Sequence, residues 1–377
     1  MSGIYLHIPF CKQACHYCDF HFSTNLNRQQ EVVDALIKEL SLRKEEFSDV
    51  QVESIYFGGG TPSLLTPKQA QSVIDHIYKN FQLAKDPEIT LEANPDDLDA
   101  KKIKDLSRLG INRLSIGVQS FFESDLKLMN RSHNVQQSID CLDEARKVFD
   151  NISIDLIYGI PGRSLRDWRS NIVTIARWDL PHISSYALTV EPKTALAHQI
   201  KKGIIPDVDE VAAHAQFEYM VDSLQADGFD HYEISNFGQP GFYSRNNTGY
   251  WWGKPYMGIG PSAHSFNGIE RSWNIRNNKK YLDAINNNTS PSSVEKLSKV
   301  DRYNEKIMTG LRTQWGIDLS SLSKEFGSKF RTYVLEQANP QIERGFLKLE
   351  DQCLKSTAKG KFLIDGIASE LFMVNLG

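Results

Sequence analysis

The chain has 377 residues, 40% of them hydrophobic and 24% charged, with 43 basic against 47 acidic side chains. That apolar content and a net charge of −4 exclude a disordered chain, and the near-balance of charge argues against broad nucleic-acid binding. No window reaches the ~18 consecutive apolar residues of a membrane span, and the start MSGIYLHIPF lacks the layout of a signal peptide, so a cytoplasmic location is expected.

In chain order, short β-branched and aromatic runs predict strands at Ile4–Ile8, Val52–Phe57, Ile89–Ala93, Arg113–Val118, Ile152–Tyr158 and His182–Leu188. Helical spacing fills the gaps: Val33, Leu36, Ile37 and Leu40; Val73, Ile74 and Ile77; then Ala100–Leu109, Val135–Phe149 and Leu165–Trp178. Serial β-then-α units imply a parallel sheet, either open or curled into a barrel. After a helix near Val211–Leu224 the pattern gives way to a Gly-, Asn- and aromatic-rich stretch, Phe237–Trp273, expected as ordered loops with short strands. Asn286–Ser293 reads as a linker. Helices over Arg302–Trp315, Ser320–Phe326 and Phe330–Arg344, then a hairpin pairing Leu347–Leu349 with Phe362–Ile364, suggest a winged-helix-like tail. The expected divisions are 1–235, a connecting segment 236–298, and 299–377.

In a parallel β/α array, chemistry sits in the loops that follow the strands. Here the first loop holds Cys11, Cys15 and Cys18, the second Gly58-Gly59-Gly60-Thr61-Pro62, and the third begins at Glu92. The fourth strand ends in Gly117-Val118-Gln119-Ser120, the fifth carries Asp155, and the sixth ends in Tyr186-Ala187. Three thiols this close bind a soft metal or an iron–sulfur cluster, and lacking a fourth they suit a cubane with one open iron. Zinc, with His16 or His21 as fourth ligand, is the rival. Cys141 and Cys353 are isolated and read as fillers. A triple glycine after a strand admits a ligand to the backbone, though it is neither a Walker loop nor G-x-G-x-x-G. Glu92 and Asp155, if enclosed, need a cation or several donors: an internal partner such as Arg131, or a ligand amine or ribose.

The three-cysteine run followed by Gly58–Pro62 resembles the radical S-adenosylmethionine (SAM) superfamily. Tyr5–Cys11, Gly117–Phe121, Met129-Asn130-Arg131 and Asp155–Gly159 extend that resemblance to the family of oxygen-independent coproporphyrinogen III oxidase and its relatives. The resemblance implies an α/β fold, a partial (β/α)6 radical SAM barrel with a small C-terminal winged-helix-like domain. It implies a [4Fe-4S] cluster on Cys11, Cys15 and Cys18, with SAM on the fourth iron. The matched SAM positions are Tyr5, Tyr17, Gly59, Gly60, Thr61, Glu92, Gln119, Arg131, Asp155, Ala187 and His264.

Two branches of that family differ. The oxidase carries an N-terminal extension and a further cysteine two positions after the third, where this chain has Phe20; ten residues precede Cys11. These features and Tyr232–Phe237 resemble the haem-chaperone branch, often labelled HemW, which implies a haem ligand, an acceptor protein, a reductant for the cluster, and no catalytic residue assigned. The alternative is the oxidase itself, an enzyme forming protoporphyrinogen IX by radical SAM oxidative decarboxylation. The chaperone branch carries a His-Asn-x-x-Tyr-Trp haem motif, which here reads Asn246-Asn247-Thr248-Gly249-Tyr250-Trp251. Asn246, Asn247, Tyr250 and Trp251 are therefore the haem candidates, with His264, His231 or a tyrosine as replacement iron ligand, and ordinary aromatic packing as the plain alternative.

Overall fold

Along most of the six expected strands every second side chain is apolar, and in the computed structural model, which describes residues 2–374, that alternation becomes the two faces of one sheet. The strands are β1 (Gly3–Ile8), β2 (Val52–Gly59), β3 (Leu83–Ala93), β4 (Arg113–Gln119), β5 (Ile152–Tyr158) and β6 (His182–Ala187). They pair in parallel, each with its neighbour in sequence. Ile4, Leu6, Ile55, Phe57, Ile89, Leu91, Leu114, Ile116, Ile152 and Ile154 point outward into the main hydrophobic core. Each such burial stabilises by ~1.5–3 kcal/mol. The helices between the strands cover this face, several of them starting at a capping box: Thr66 with Gln69, Asn134 with Gln137, Ser164 with Asp167. The other residues of the alternation, among them Glu88, Thr90, Glu92, Arg113, Ser115, Ser153, Asp155 and Ser184, line a polar concave side.

The sheet does not stop at six strands. β7 (Asp230–Glu233) and β8 (Asn236–Gly238) extend it beyond β6. β9 (Tyr256–Ile259), β10 (His264–Phe266), β11 (Glu270–Asn274) and β12 (Ser292–Lys296) extend it beyond β1, giving the order β12-β11-β10-β9-β1-β2-β3-β4-β5-β6-β8-β7. Residues 236–298, read from the sequence as a connecting segment, are thus woven into the main sheet. The linker expected at Asn286–Ser293 ends a helix (Asn278–Asn286) and then enters β12, which pairs with β11. Its polar composition reflects an exposed edge strand.

The tail has its own core of Tyr303, Ile307, Leu311, Leu319, Leu322, Val334, Leu354 and Ile364. Its helices are Lys299–Leu311, Leu319–Phe326 and Ser328–Glu343. The hairpin differs from expectation: β14 (Leu347–Glu350) pairs with β15 (Cys353–Ser356), with β13 (Ile317–Asp318) on the other side. Asp351 and Gln352 both take left-handed φ (49° and 63°), a two-residue turn that closes the hairpin at once. Phe362 instead precedes the helix Ile364–Glu370. The result is the α/β barrel with small helical and hairpin tail that the resemblance implied. Among the described residues no helix is long and apolar enough to cross a membrane.

Candidate functional site

At the C-terminal ends of β1–β6 the polar face opens into a cavity of about 580 Å³. Its wall includes Cys11, Cys15, Cys18, Tyr17, Gly59, Gly60, Thr61, Glu92, Gln119, Arg131, Asp155 and Ala187. Two further expected residues lie elsewhere. Tyr5 sits behind the wall, stacked on Tyr56 (6.0 Å between ring centres), and His264 is on β10, outside the cavity.

Backbone geometry holds the cysteine loop in place. Cys11 N–H donates to Ser23 O (3.1 Å) and Ser23 N–H to Pro9 O (2.9 Å). Gln13 Nε2 donates to Asn130 O (2.7 Å) and Asn130 Nδ2 to Ala14 O (2.8 Å), with Asn130 itself at a left-handed φ of 54°. This exchange tethers the loop to the Met129-Asn130-Arg131 segment. The thiols are half-buried and free. Burial pushes Cys11 up to about 11, opposed by the hydrogen bond from Thr61 Oγ1 (3.3 Å), and Cys18 is raised by burial too. A coordinated metal deprotonates such thiols outright.

His16 and His21, the candidate fourth zinc ligands, are each held through one ring nitrogen. His16 Nδ1 bonds Leu128 O (2.9 Å), and His21 Nε2 bonds Asn278 Oδ1 (2.7 Å). Among the described residues no three His, Cys, Asp or Glu side chains converge as around one metal ion. Thiols spread around a cavity mouth suit a multinuclear cluster better than one tetrahedral zinc with ~2.3 Å bonds to sulfur.

The glycine loop is shaped by close approach. Gly59 has φ 102°, and a Cβ there would lie 2.3 Å from the His7 ring. At Gly60 a Cβ would meet Ile8 O at 2.6 Å and Phe10 O at 2.7 Å. Only glycine lets this loop lie flat against β1 and the cysteine segment. Glu92 accepts from Tyr56 Oη (2.8 Å) and from Gly59 N–H (3.1 Å), joining the second and third loops. Burial pushes Glu92 up to about 7 and Asp155 up to about 6. Asp155 is bonded by Ser115 Oγ at 3.3 Å.

Arg131 is not their ion-pair partner. Its Nη1 donates to Cys15 Sγ (3.3 Å) and Tyr17 Oη (3.5 Å), and its Nη2 to Asn94 Oδ1 (2.5 Å) and Gly117 O (3.1 Å). Burial opposes its charge, but Tyr17 and Cys15 hold its pKa above the ordinary arginine value. Its Nε is buried without a partner. Two buried carboxyls that feel the Arg113 charge but make no salt bridge among the described residues, an unpartnered guanidinium N–H, three thiols and a glycine cradle fit a cluster with a cationic, hydroxyl-bearing ligand on it. Asn94 and Ser115 escaped the sequence reading as site residues; their placement on the polar face at strand ends was the available signal.

The haem candidates lie at the opposite end of the barrel. Asn246, Asn247, Tyr250 and Trp251 belong to the helix Arg245–Trp251, whose N-terminus is fixed by Arg245 N–H donating to Glu88 Oε1 (3.0 Å). Asn246 faces Gly3, at the start of β1, beside a void of about 10 Å³. Tyr250 stacks on Tyr256 at 4.1 Å, and the Arg312 guanidinium lies 5.3 Å from the Trp251 ring.

The model of the radical SAM superfamily matches residues 5–172, and that of the HemN C-terminal domain matches 297–363. The chain is 34% identical to the heme chaperone HemW of Lactococcus lactis, covering 97% of this chain and 98% of that protein. It is 32% identical to the heme chaperone HemW of Bacillus subtilis, with full coverage of both. The solved structure of Escherichia coli coproporphyrinogen III oxidase (HemN) superposes with a TM-score of 0.86 over 99% of this chain and 90% of that one. At 23% identity it shows the fold alone.

Proposed function

From a chain that belongs to the HemW family of radical SAM proteins, we propose a haem chaperone that binds haem and a SAM-ligated [4Fe-4S] cluster and passes haem to an acceptor protein. The observation that carries this reading is full-length similarity to chaperones at 31–34% identity, joined to a cavity that assembles thiols, glycine loop and carboxylates at one end of the barrel.

In this reading Cys11, Cys15 and Cys18 hold the cluster, which when bound supplies an electron to SAM. Thr61 and Arg131 hydrogen-bond two of the three sulfurs, stabilising their negative charge. Glu92 and Asp155 offer carboxylates to the cationic and hydroxyl groups of SAM, while Gly59 and Gly60 let it reach the backbone. Gln119, Tyr17 and Ala187 complete the wall.

The position that holds a cysteine in the oxidase is Phe20, 72% exposed at the cavity mouth. It cannot ligate iron, which favours the chaperone over oxidative decarboxylation. An open-iron cluster survives only in reducing surroundings, which supports a cytoplasmic location, and it requires a reductant. Anaerobic reconstitution followed by haem addition and then an apo-acceptor tests the proposal. Haem should transfer, and coproporphyrinogen III should be left unconverted. Formation of a vinyl-bearing product would instead establish the oxidase.

A further inference from the structure

Resting on the haem reading above, we propose that His264, rather than Asn246, supplies the haem-iron ligand, from an open aromatic face of the sheet beside the cysteine cavity. The usual candidate is excluded by space and chemistry. An amide is a poor iron ligand beside imidazole, and the void at Asn246 is about 10 Å³, barely one water. His231 is excluded by its bonds: it is buried, with Nε2 on Ile234 O (3.1 Å) and Nδ1 on Lys361 Nζ (2.8 Å).

Strand register places His264 differently. Tyr256 pairs with Gly3 and Gly258 with Tyr5, so Tyr256, Gly258, Tyr5 and His7 share the concave side. Phe266 pairs with Tyr256 and His264 with Trp273, which sets His264, Phe266, Trp273 and Arg271 on that same side. The His264 imidazole is solvent-facing, has no hydrogen-bond partner among the described residues, and lies near-parallel to Trp273 (30°, 6.2 Å). Gly258 has to be glycine because the His264 backbone lies directly over it, where a Cβ would overlap the His264 carbonyl.

Below His264 the face continues as Phe266, Tyr256 and Tyr250, with ring centres 6.3 and 4.1 Å apart. Tyr250 and Trp273 remain 43% and 37% exposed, which is unusual for aromatic rings in a row. A flat macrocycle with central iron and peripheral carboxylates matches such a surface. Arg271 on β11 acts on His264, and Arg276, at the exit of β11, acts on His7 and His21. Each guanidinium uses only Nη2 in its side-chain bonds, to Glu305 and Asp19, leaving N–H groups for propionates. Partial desolvation on its inner side and Arg271 both disfavour the charged imidazole, leaving the neutral form that coordinates iron.

The test is anaerobic titration of the full-length, cluster-loaded protein with ferric protoporphyrin IX and, separately, with metal-free protoporphyrin IX, read by absorbance and electron paramagnetic resonance. Wild type should give a saturable, nitrogen-ligated ferric spectrum. In His264→Ala that spectrum should disappear and the haem Kd rise by ~10-fold or more. Binding of the metal-free porphyrin should persist, and free imidazole should restore the spectrum. Asn246→His should leave the ligand spectrum as in wild type. An unaltered spectrum in His264→Ala, or loss of SAM binding without change in haem binding, would overturn the assignment. Absence of haem binding by the wild type would instead overturn the chaperone reading on which it rests.

Discussion

At the scale of single residues, the site depends on groups whose charge the fold opposes. Glu92 and Asp155 titrate at about 7 and about 6 because burial penalises their carboxylates, against ~4 in an unfolded chain. Between those values the native state holds protons that the unfolded state has released. Their contribution to stability is therefore full below pH ~4 and is lost as pH rises through 6 to 7. A cationic ligand reverses the preference, since it favours the ionised carboxylates. SAM should thus bind more tightly at pH 8 than at pH 6, with uptake linked to proton release, and Glu92→Gln should flatten that dependence; isothermal titration at the two pH values checks both. Cys15→Ala removes a thiol and leaves Arg131 Nη1 without its sulfur contact. Reconstituted iron should fall well below ~4 per chain, with loss of the visible charge-transfer absorption, while circular dichroism stays as in wild type.

At the scale of elements, the six β/α units were legible because alternation is a strong signal. Ile4, Leu6 and Ile8 announce an outer face, and the interleaved Tyr5 and His7 an inner one. The cavity was legible for the same reason: its residues follow strand ends. What escaped were pairings decided by tertiary contact. β12, with the sequence SSVEK, carries almost no apolar signal, and it is a strand because β11 offers it an edge. The hairpin partner of Leu347–Glu350 was misplaced because two consecutive left-handed residues, Asp351 and Gln352, make a turn without glycine. The destination of His264 was also hidden, since only the register of β9 and β10 shows which face it joins. The glycine loop gives a test at this scale. Gly59→Ala combines an unfavourable φ with an overlap on His7, and should cost ~1–3 kcal/mol or displace the loop. A lower Tm together with weaker SAM binding would check it.

At the scale of the whole molecule, the tail is fastened to the barrel beside its outer helices. Phe362 packs on Phe217 (5.4 Å) and His214 (4.5 Å), and Lys361 reaches the buried His231. Phe362→Ala should lower the melting temperature, by ~1–3 kcal/mol of stability for a partly buried ring, and leave cluster content unchanged. The barrel meanwhile keeps two separate regions: the thiol-lined cavity at the C-terminal ends of the strands, and the exposed aromatic face on the added strands β9–β11. That division suits the proposed roles, a SAM-bound cluster in the cavity and haem on the aromatic face. The most direct measurement is stoichiometric anaerobic titration of the cluster-loaded chain with ferric haem, followed by an apo-acceptor. Saturation at one haem per chain, and transfer of that haem with the cluster retained, are expected. No spectral change on haem addition, with the cluster intact, would contradict the chaperone reading.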